Sequence, residues 1–222
     1  MRYEVKMTCD EIYLPEVHSW VQVHPAGFVE AYPPRQVNSV YLDTVEVDCL
    51  HDHLDGVLER SKLRFRWYGQ APSAALGVLE LKHKRDRLGW KEYNPIPVTF
   101  DLTAISWRDW MHQVRTYAEG NIALWLAWTD RPILISSYLR EYYESSDGEV
   151  RITIDRDLAI FEQLTYSSPN LTYRTPIDSH VVIEVKAGAQ FSRRVSDVLT
   201  SIPLYAETNS KYVGGVVASW HG

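Results

Sequence analysis

The chain has 222 residues, of which 45% are hydrophobic and 12% aromatic, so it can bury a sizeable core and disorder is excluded. Its formal net charge of -6 argues against broad nucleic-acid binding, which wants a basic domain, and no apolar run approaches the roughly 20 residues that span a bilayer. Eight Trp and fourteen Tyr favour a β-rich or mixed fold.

Period-two alternation predicts eight strands. "RYEVKMT" sets Tyr3, Val5 and Met7 against Arg2, Glu4 and Lys6, and these charges leave no room for a signal peptide. Asp10 is the expected cap of a helix through "EIYLPEVHSWV", limited by Pro15. "AYPPRQ" reads as a loop before the strand "VNSVYLDT". "KLRFRWYG" puts Lys62, Arg64 and Arg66 on one face and Leu63, Phe65 and Trp67 on the other. "GVLELKHKR" sets Leu79 and Leu81 against Glu80, Lys82 and Lys84, and "WKEYNPIPVTF" follows with Lys91. "SWRDWMHQVRTY" and "NIALWLAWT" read as helices whose tryptophans, Trp107 to Trp128, belong to a core. "PILISSYLREYYES" and "GEVRITIDRDL" flank "SSDG", a hairpin turn. "HVVIEVKAG" is the eighth strand. A helix with Ser192 at its N-cap follows over "SRRVSDVLTSI", and the tail "ETNSKYVGGVVASW" is a last helix or strand. No repeat or linker marks a boundary, so one domain over residues 1–222 is expected.

Only seven lysines occur, and six fall in predicted strands or at their edges. Cations here are placed rather than sprinkled. The ordinary reading is antiparallel strands with charges in water. Three features oppose it. The charged faces carry few neutral polar residues, the amphipathic helices need an apolar surface to cover, and eight strands suit a barrel that holds one ligand. Helices on the outside turn the charged faces inward, where uncompensated cations are too costly to stay empty. The predicted fold is therefore α+β, an eight-stranded antiparallel β-barrel tunnel with helices packed outside, built to hold a polyanion.

"RYEVKM", "YLDT", "KLRFRWYG", "LELKHK", "YLREYY" with "VRITIDRDL", "VVIEVK" and the late "SKY" occur in the order seen in VTC domains. The chain resembles these polyphosphate-polymerase domains over roughly residues 2–215, and through them the triphosphate tunnel metalloenzymes and CYTH proteins. CYTH members open with Glu-x-Glu-x-Lys, whereas Arg2-x-Glu4-x-Lys6 stands here, which favours the VTC branch.

Arg64 and Arg66 are expected to hold phosphate oxygens bidentately. The resemblance implies Lys6 and Lys82 as phosphate ligands, with Lys84, Lys91 and Lys186 beside them on the alternating faces. Arg140 and Arg151 are expected near one another across the hairpin, with ion pairs to Glu141 or Glu149 as the alternative. The resemblance also implies Lys211, with Ser210 as a hydrogen-bond donor. Arg64, Arg66, Lys82, Arg140 and Arg151 are the catalytic set. Glu184 is the expected carboxylate for Mn²⁺ or Mg²⁺, with Glu80 and Glu4 as secondary candidates for metal or charge balance and Asp155 in a like role.

The implied activity is metal-dependent transfer of the terminal phosphoryl group of ATP, or another nucleoside triphosphate, onto inorganic polyphosphate. The alternatives are a triphosphatase acting on tripolyphosphate or a nucleotide, and a non-catalytic polyphosphate binder. A cytoplasmic location with free thiols at Cys9 and Cys49 is expected. "HDH" at His51 to His53 lacks a matching cluster for a metal, the Asn170 sequon is discounted, and no Ser/His/Asp arrangement is visible.

Overall fold

The computed structural model describes residues 2–85, 88–178, 180–200, 202, 204 and 210–221. Its strands are β1 (Arg2–Asp10), β2 (Val29–Asp43), β3 (Glu59–Tyr68), β4 (Ala75–Arg85), β5 (Leu88–Phe100), β6 (Arg131–Glu144), β7 (Val150–Glu162) and β8 (His180–Gly188). The helices are α1 (Leu14–Val23), α2 (Asp48–Leu54), α3 (Trp107–Tyr117), α4 (Gly120–Trp128), α5 (Ser192–Leu199) and α6 (Lys211–His221). The strands form one antiparallel sheet in the order β1-β8-β7-β6-β2-β3-β4-β5. The fold is thus α+β, with an eight-stranded antiparallel sheet whose strand order runs linearly from β1 to β5.

The chain divides into two compact units. The first comprises Met1–Arg35, Tyr138–Leu158 and Asp178–Ser210; the second comprises Gln36–Ser137, Ala159–Ile177 and Lys211–Gly222.

In the first unit, alternation decides the faces. Met7, Ile152, Ile154, Val181, Ile183 and Val185 form the buried apolar side, and Val17 and Val21 of α1 with Val195 and Val198 of α5 pack on it. The opposite side carries Glu4, Lys6, Thr153, Asp155, Glu184 and Lys186, set in register because Lys6 pairs with Glu184 and Thr153 pairs with Glu184 across the strands. Asp10 makes no side-chain cap. A single 3₁₀ turn, Glu11–Tyr13, intervenes, and Pro15 lies in the first turn of α1 rather than limiting it. A proline there loses no hydrogen bond and arrives with helical φ already set. Ser192 is the first residue of α5, and Phe191 takes the N-cap position.

In the second unit, Val40, Leu42, Leu63, Phe65, Trp67, Leu79 and Leu81 face Trp107, Trp110, Met111 and Val114 of α3 and Ile122 and Leu126 of α4. Each such side chain contributes about 1.5–3 kcal/mol by leaving water. Ser106 caps α3, its hydroxyl accepting from the Asp109 amide at 3.1 Å. Gly77 is required at a β-bulge: a Cβ there would lie 2.3 Å from the Arg66 carbonyl oxygen and 2.6 Å from the Phe65 ring. The tail resolves as a helix from Lys211, while residues 207–209 of the predicted element lie outside the described residues. Gly215 brings α6 close to Leu134 and Ile160.

Two expectations change, and the sequon is already set aside. The "AYPPRQ" stretch is strand, the exposed first half of β2, where prolines sacrifice no ladder bond that a buried strand would need. Trp128 is 78% exposed on the outer side of α4, so it is not core. The Asn170 side chain is tucked in, its amide nitrogen donating to the carbonyls of Glu162 (3.2 Å) and Tyr173 (2.9 Å).

Candidate functional site

Register brings the second unit's cations together. Lys62 of β3 lies directly opposite Lys82 of β4, and Lys82 lies directly opposite Lys91 of β5. Three ammonium groups therefore form a row across three strands, where like charges in opposite positions repel. One step along, Arg64 faces Glu80, and Arg66 follows on the same side. Glu80 is buried, and it is the acid that β3, β4 and β5 turn toward this face between Lys62 and Arg66. Its carboxylate accepts from Arg64 Nε at 2.9 Å and lies 3.4 Å from Arg66 Nη1 and 3.9 Å from Lys91 Nζ.

Electrostatics follow from that crowding. Burial alone would raise the Glu80 carboxyl, but Arg64, Arg66 and Lys91 outweigh it and hold it down at about 2. Burial, with Arg64, Arg66 and Lys82 nearby, pushes the Lys91 ammonium down to about 7 against the pull of Glu80. Burial and the cations Lys62, Arg60, Lys84 and Lys82 lower His53 to about 4. Tyr41 is buried, which opposes ionisation, yet Arg64, Arg66 and Lys211 draw its hydroxyl below the ordinary value. Arg64 Nη1 donates to that hydroxyl at 3.2 Å.

Helix α6 joins the same face. The Tyr212 hydroxyl donates to the wholly buried Asp43 carboxylate, which also accepts from the backbone amides of Thr44 (2.8 Å) and Cys49 (3.0 Å). The Tyr212 ring sits 5.3 Å from Tyr41 and beneath Lys62 Nζ at 5.0 Å. Ser210 and Lys211 thus immediately precede an anchored residue. Lys84 is exposed near the end of β4.

The first unit's charged face differs in kind, because cations and acids alternate there. Glu184 is 5% exposed and meets Lys6 at 2.9 Å, Arg140 at 3.5 Å and Lys186 more closely still. Arg140 is held by both oxygens of Asp155, at 2.5 and 2.6 Å, and these acids raise its guanidinium well above the usual range despite burial. Lys6 also reaches Glu4 at 3.5 Å.

Two expectations about the hairpin are corrected. Arg140 pairs with Asp155 and Glu184, and Arg151 pairs with Glu144 at 2.9 Å, so neither uses Glu141 or Glu149. Arg151 also has a 63% exposed side chain and stands opposite Lys186, apart from the buried Arg140 pair. The loop tightens at Gly148, whose φ of +72° suits glycine.

A hard divalent ion wants oxygen ligands. Glu184, Glu4 and the Thr153 hydroxyl are all of that type; the two carboxylates already meet a cation, Lys6, and the hydroxyl lies 3.4 Å from Glu184. This donor chemistry fits Mg²⁺ or Mn²⁺. Among the described residues no group of three or more His, Cys, Asp or Glu side chains could hold a metal, so most of the ion's shell would come from water and phosphate oxygens. Glu80 resembles Glu184 in having cations against both oxygens, Arg64 on Oε2 and Arg66 on Oε1, but among the described residues no further hydroxyl or carboxylate is seen beside it. His51 and His53 lie in α2, with His53 Nδ1 3.4 Å from Lys62 Nζ.

Several participants escaped the sequence reading. Tyr41, Asp43 and Tyr212 carry no spacing signal, whereas Lys62 shares the alternation of Arg64. A Ser/His/acid arrangement is present after all. His83 Nδ1 lies 2.6 Å from Ser61 Oγ and its Nε2 lies 3.0 Å from Glu92, beneath a stack with Trp90 at 4.9 Å. It sits on the apolar side of β3 to β5, with Ser61 buried, and satisfies polar groups under the helices.

Each unit thus presents a charged strand face opposite an apolar face covered by helices. The VTC domain model matches residues 1–221, and the chain is a member of the VTC domain family. A "putative adenylate cyclase" of Vibrio parahaemolyticus shares the fold at TM-score 0.51 and 13% identity, covering 95% of each chain. A structure of the PH1819 protein from Pyrococcus horikoshii OT3 has TM-score 0.50 and 13% identity, covering 98% of this chain and 99% of that one. Comparison with curated proteins found no match.

Proposed function

We propose that this chain is a polyphosphate polymerase that transfers the terminal phosphoryl group of ATP, or another nucleoside triphosphate, to the end of an inorganic polyphosphate chain. The carrying observation is the Lys62–Lys82–Lys91 row beside Arg64 and Arg66. Such a row is unfavourable by itself and favourable around a linear polyanion, whose charges repeat along its length. Closure of the sheet into a tunnel around that polyanion is part of the proposal.

In the transfer, the bond from the terminal phosphorus to the nucleotide's bridging oxygen breaks. A bond to the terminal oxygen of the polymer forms, and nucleoside diphosphate leaves. The protein's part is alignment and charge compensation. Arg64, Arg66, Lys82 and Lys91 hold phosphate oxygens of the chain, and Lys62 and Lys211 extend the grip. Lys6, Arg140, Lys186 and the more exposed Arg151, Lys84 and Ser210 are further contacts. Glu184, with Glu4 and Thr153, would hold a Mg²⁺ or Mn²⁺ ion, which when bound supplies charge neutralisation at the phosphate oxygens. Glu80 keeps Arg64 and Arg66 oriented.

The state of Glu80 favours polymer over water as acceptor. A carboxyl held down at about 2 is a weak base for water. A bound polyanion also returns Lys91 to its charged form, leaving no base there. A phosphate acceptor arrives already ionised and needs none. Incubation with ATP and Mn²⁺ tests the reading. Long polymer on a gel is the expected product; free phosphate alone makes the protein a triphosphatase, and binding without turnover makes it a polyphosphate binder.

A further inference from the structure

The cationic face of the second unit contains three buried polar atoms that lack a hydrogen-bond partner among the described residues: Ser39 Oγ, Arg66 Nε and Ser136 Oγ. Ser39 and Ser136 are 0% exposed, and Arg66 is 7% exposed. A buried donor without a partner gives up its bond to water for nothing, so natural chains keep few of them without a reason. The other atoms in the same condition are indole nitrogens of Trp67, Trp107 and Trp110, which belong to the apolar core.

Register places the three together. Ser39 of β2 lies directly opposite Arg66 of β3, so their side chains share a face. Strands β2 and β6 are neighbours in the sheet. Their other face is fully used: Ser137 Oγ donates to Asn38 Oδ1 at 2.6 Å and accepts from Gln36 Nε2 at 2.8 Å, while Asn38 Nδ2 donates to the Gly69 carbonyl at 2.8 Å. Since Ser137 and Asn38 share that face, alternation turns Ser136 and Ser39 to the opposite one, the face of Arg66, with Ser39 on the strand between Arg66 and Ser136. The side-chain amides of Gln36 and Asn38 are therefore satisfied on one face, and the opposite face leaves a guanidinium nitrogen and two hydroxyls open. Arg66 commits Nη1 to Glu80 at 3.4 Å, which leaves the Nε edge of its fork for something else.

We propose that Ser39, Arg66 and Ser136 form a subsite that receives one phosphoryl group of the bound chain. The guanidinium edge supplies charge, and two neutral hydroxyls donate to oxygens that Arg and Lys point charges leave uncovered. Hydroxyl donors suit a tetrahedral oxyanion because they rotate to meet it and add no repulsion to a face already crowded with cations. The subsite deepens the polyphosphate reading and rests on it.

Ser39→Ala, Ser136→Ala and the double variant test this by calorimetric titration with inorganic tripolyphosphate, alongside thermal melts without ligand. Each single change is expected to weaken tripolyphosphate about tenfold, the size of one hydrogen bond to a charged acceptor. The unliganded melting temperature should stay level or rise, because an orphan hydroxyl is being removed. Lys82→Met serves as the control for the wider site. If Lys82→Met weakens binding while both serine variants keep wild-type affinity within twofold, the subsite is refuted and the polyphosphate reading stands. Folded wild-type protein that takes up no tripolyphosphate overturns both. A fall in melting temperature with unchanged affinity assigns the serines to packing and also refutes the subsite.

Discussion

Replacing Glu80 by glutamine separates two roles that a carboxylate among cations can have. Glu80 is 4% exposed and its carboxyl sits at about 2 rather than near 4.5. A depression of that size corresponds to about 3 kcal/mol of folding stability. Because the folded value lies below the unfolded one, this stability is fully present above about pH 4.5 and is lost as pH falls toward about 2. Glu80→Gln removes it at every pH and leaves Arg64 and Arg66 without their acid. For a chain of this length, about 3 kcal/mol lowers the melting temperature by roughly 6–12 °C. The same change takes away a charge that competes with phosphate for those guanidiniums, so tripolyphosphate should bind more tightly and restore much of the lost melting temperature. Scanning fluorimetry with and without tripolyphosphate, plus titration calorimetry, reads both effects. Stability down with affinity up is the expected pair. An unchanged melting temperature, or weaker tripolyphosphate binding, would defeat the counter-ion reading; weaker binding seen only with Mn²⁺ present would make Glu80 a metal ligand.

Three other outcomes follow from the same charges. Lys91 titrates near pH 7 in the free protein, so it is charged below that pH and neutral above it; sulfate, a dianion throughout, should bind progressively more weakly from pH 6 to 8, and Lys91→Arg should flatten the profile. Parallel profiles for the two proteins would contradict this. Lys82→Met removes the ammonium that stands opposite both Lys62 and Lys91, so tripolyphosphate affinity by titration calorimetry should drop severalfold; unchanged affinity would take Lys82 out of the site. Glu184→Gln should retain tripolyphosphate binding within a few-fold and lose polymer synthesis with ATP and Mn²⁺; turnover at the wild-type rate would remove Glu184 from the metal role.

The strands were legible because side-chain alternation is written directly into "KLRFRWYG", "GVLELKHKR" and "HVVIEVKAG". Which charged residues meet was not, because pairing between strands is set by tertiary registration. Nothing in the sequence says that Lys62, Lys82 and Lys91 fall in line, or that Arg151 stands outside the Arg140 pair. Ser39 and Ser136 were invisible for a further reason: a serine in a strand looks like any neutral polar residue until its neighbours' hydrogen bonds are counted. The exposed half of β2 was missed because prolines usually end strands, a rule that holds for buried ladders and lapses where one side is solvent. Ser61, His83 and Glu92 lie on three strands, and their juxtaposition depends on the same unseen register.

The bond from Tyr212 to Asp43 joins positions 169 residues apart in the chain. A ribosome delivers Asp43 long before Tyr212 exists, so during synthesis this acid waits with its backbone partners alone. Closing so long a loop is slow relative to hairpin formation. The cationic face of the second unit therefore gains its last helix only after Tyr212 has been made, and the β1–β8 pairing, which closes loops just as long, comes equally late.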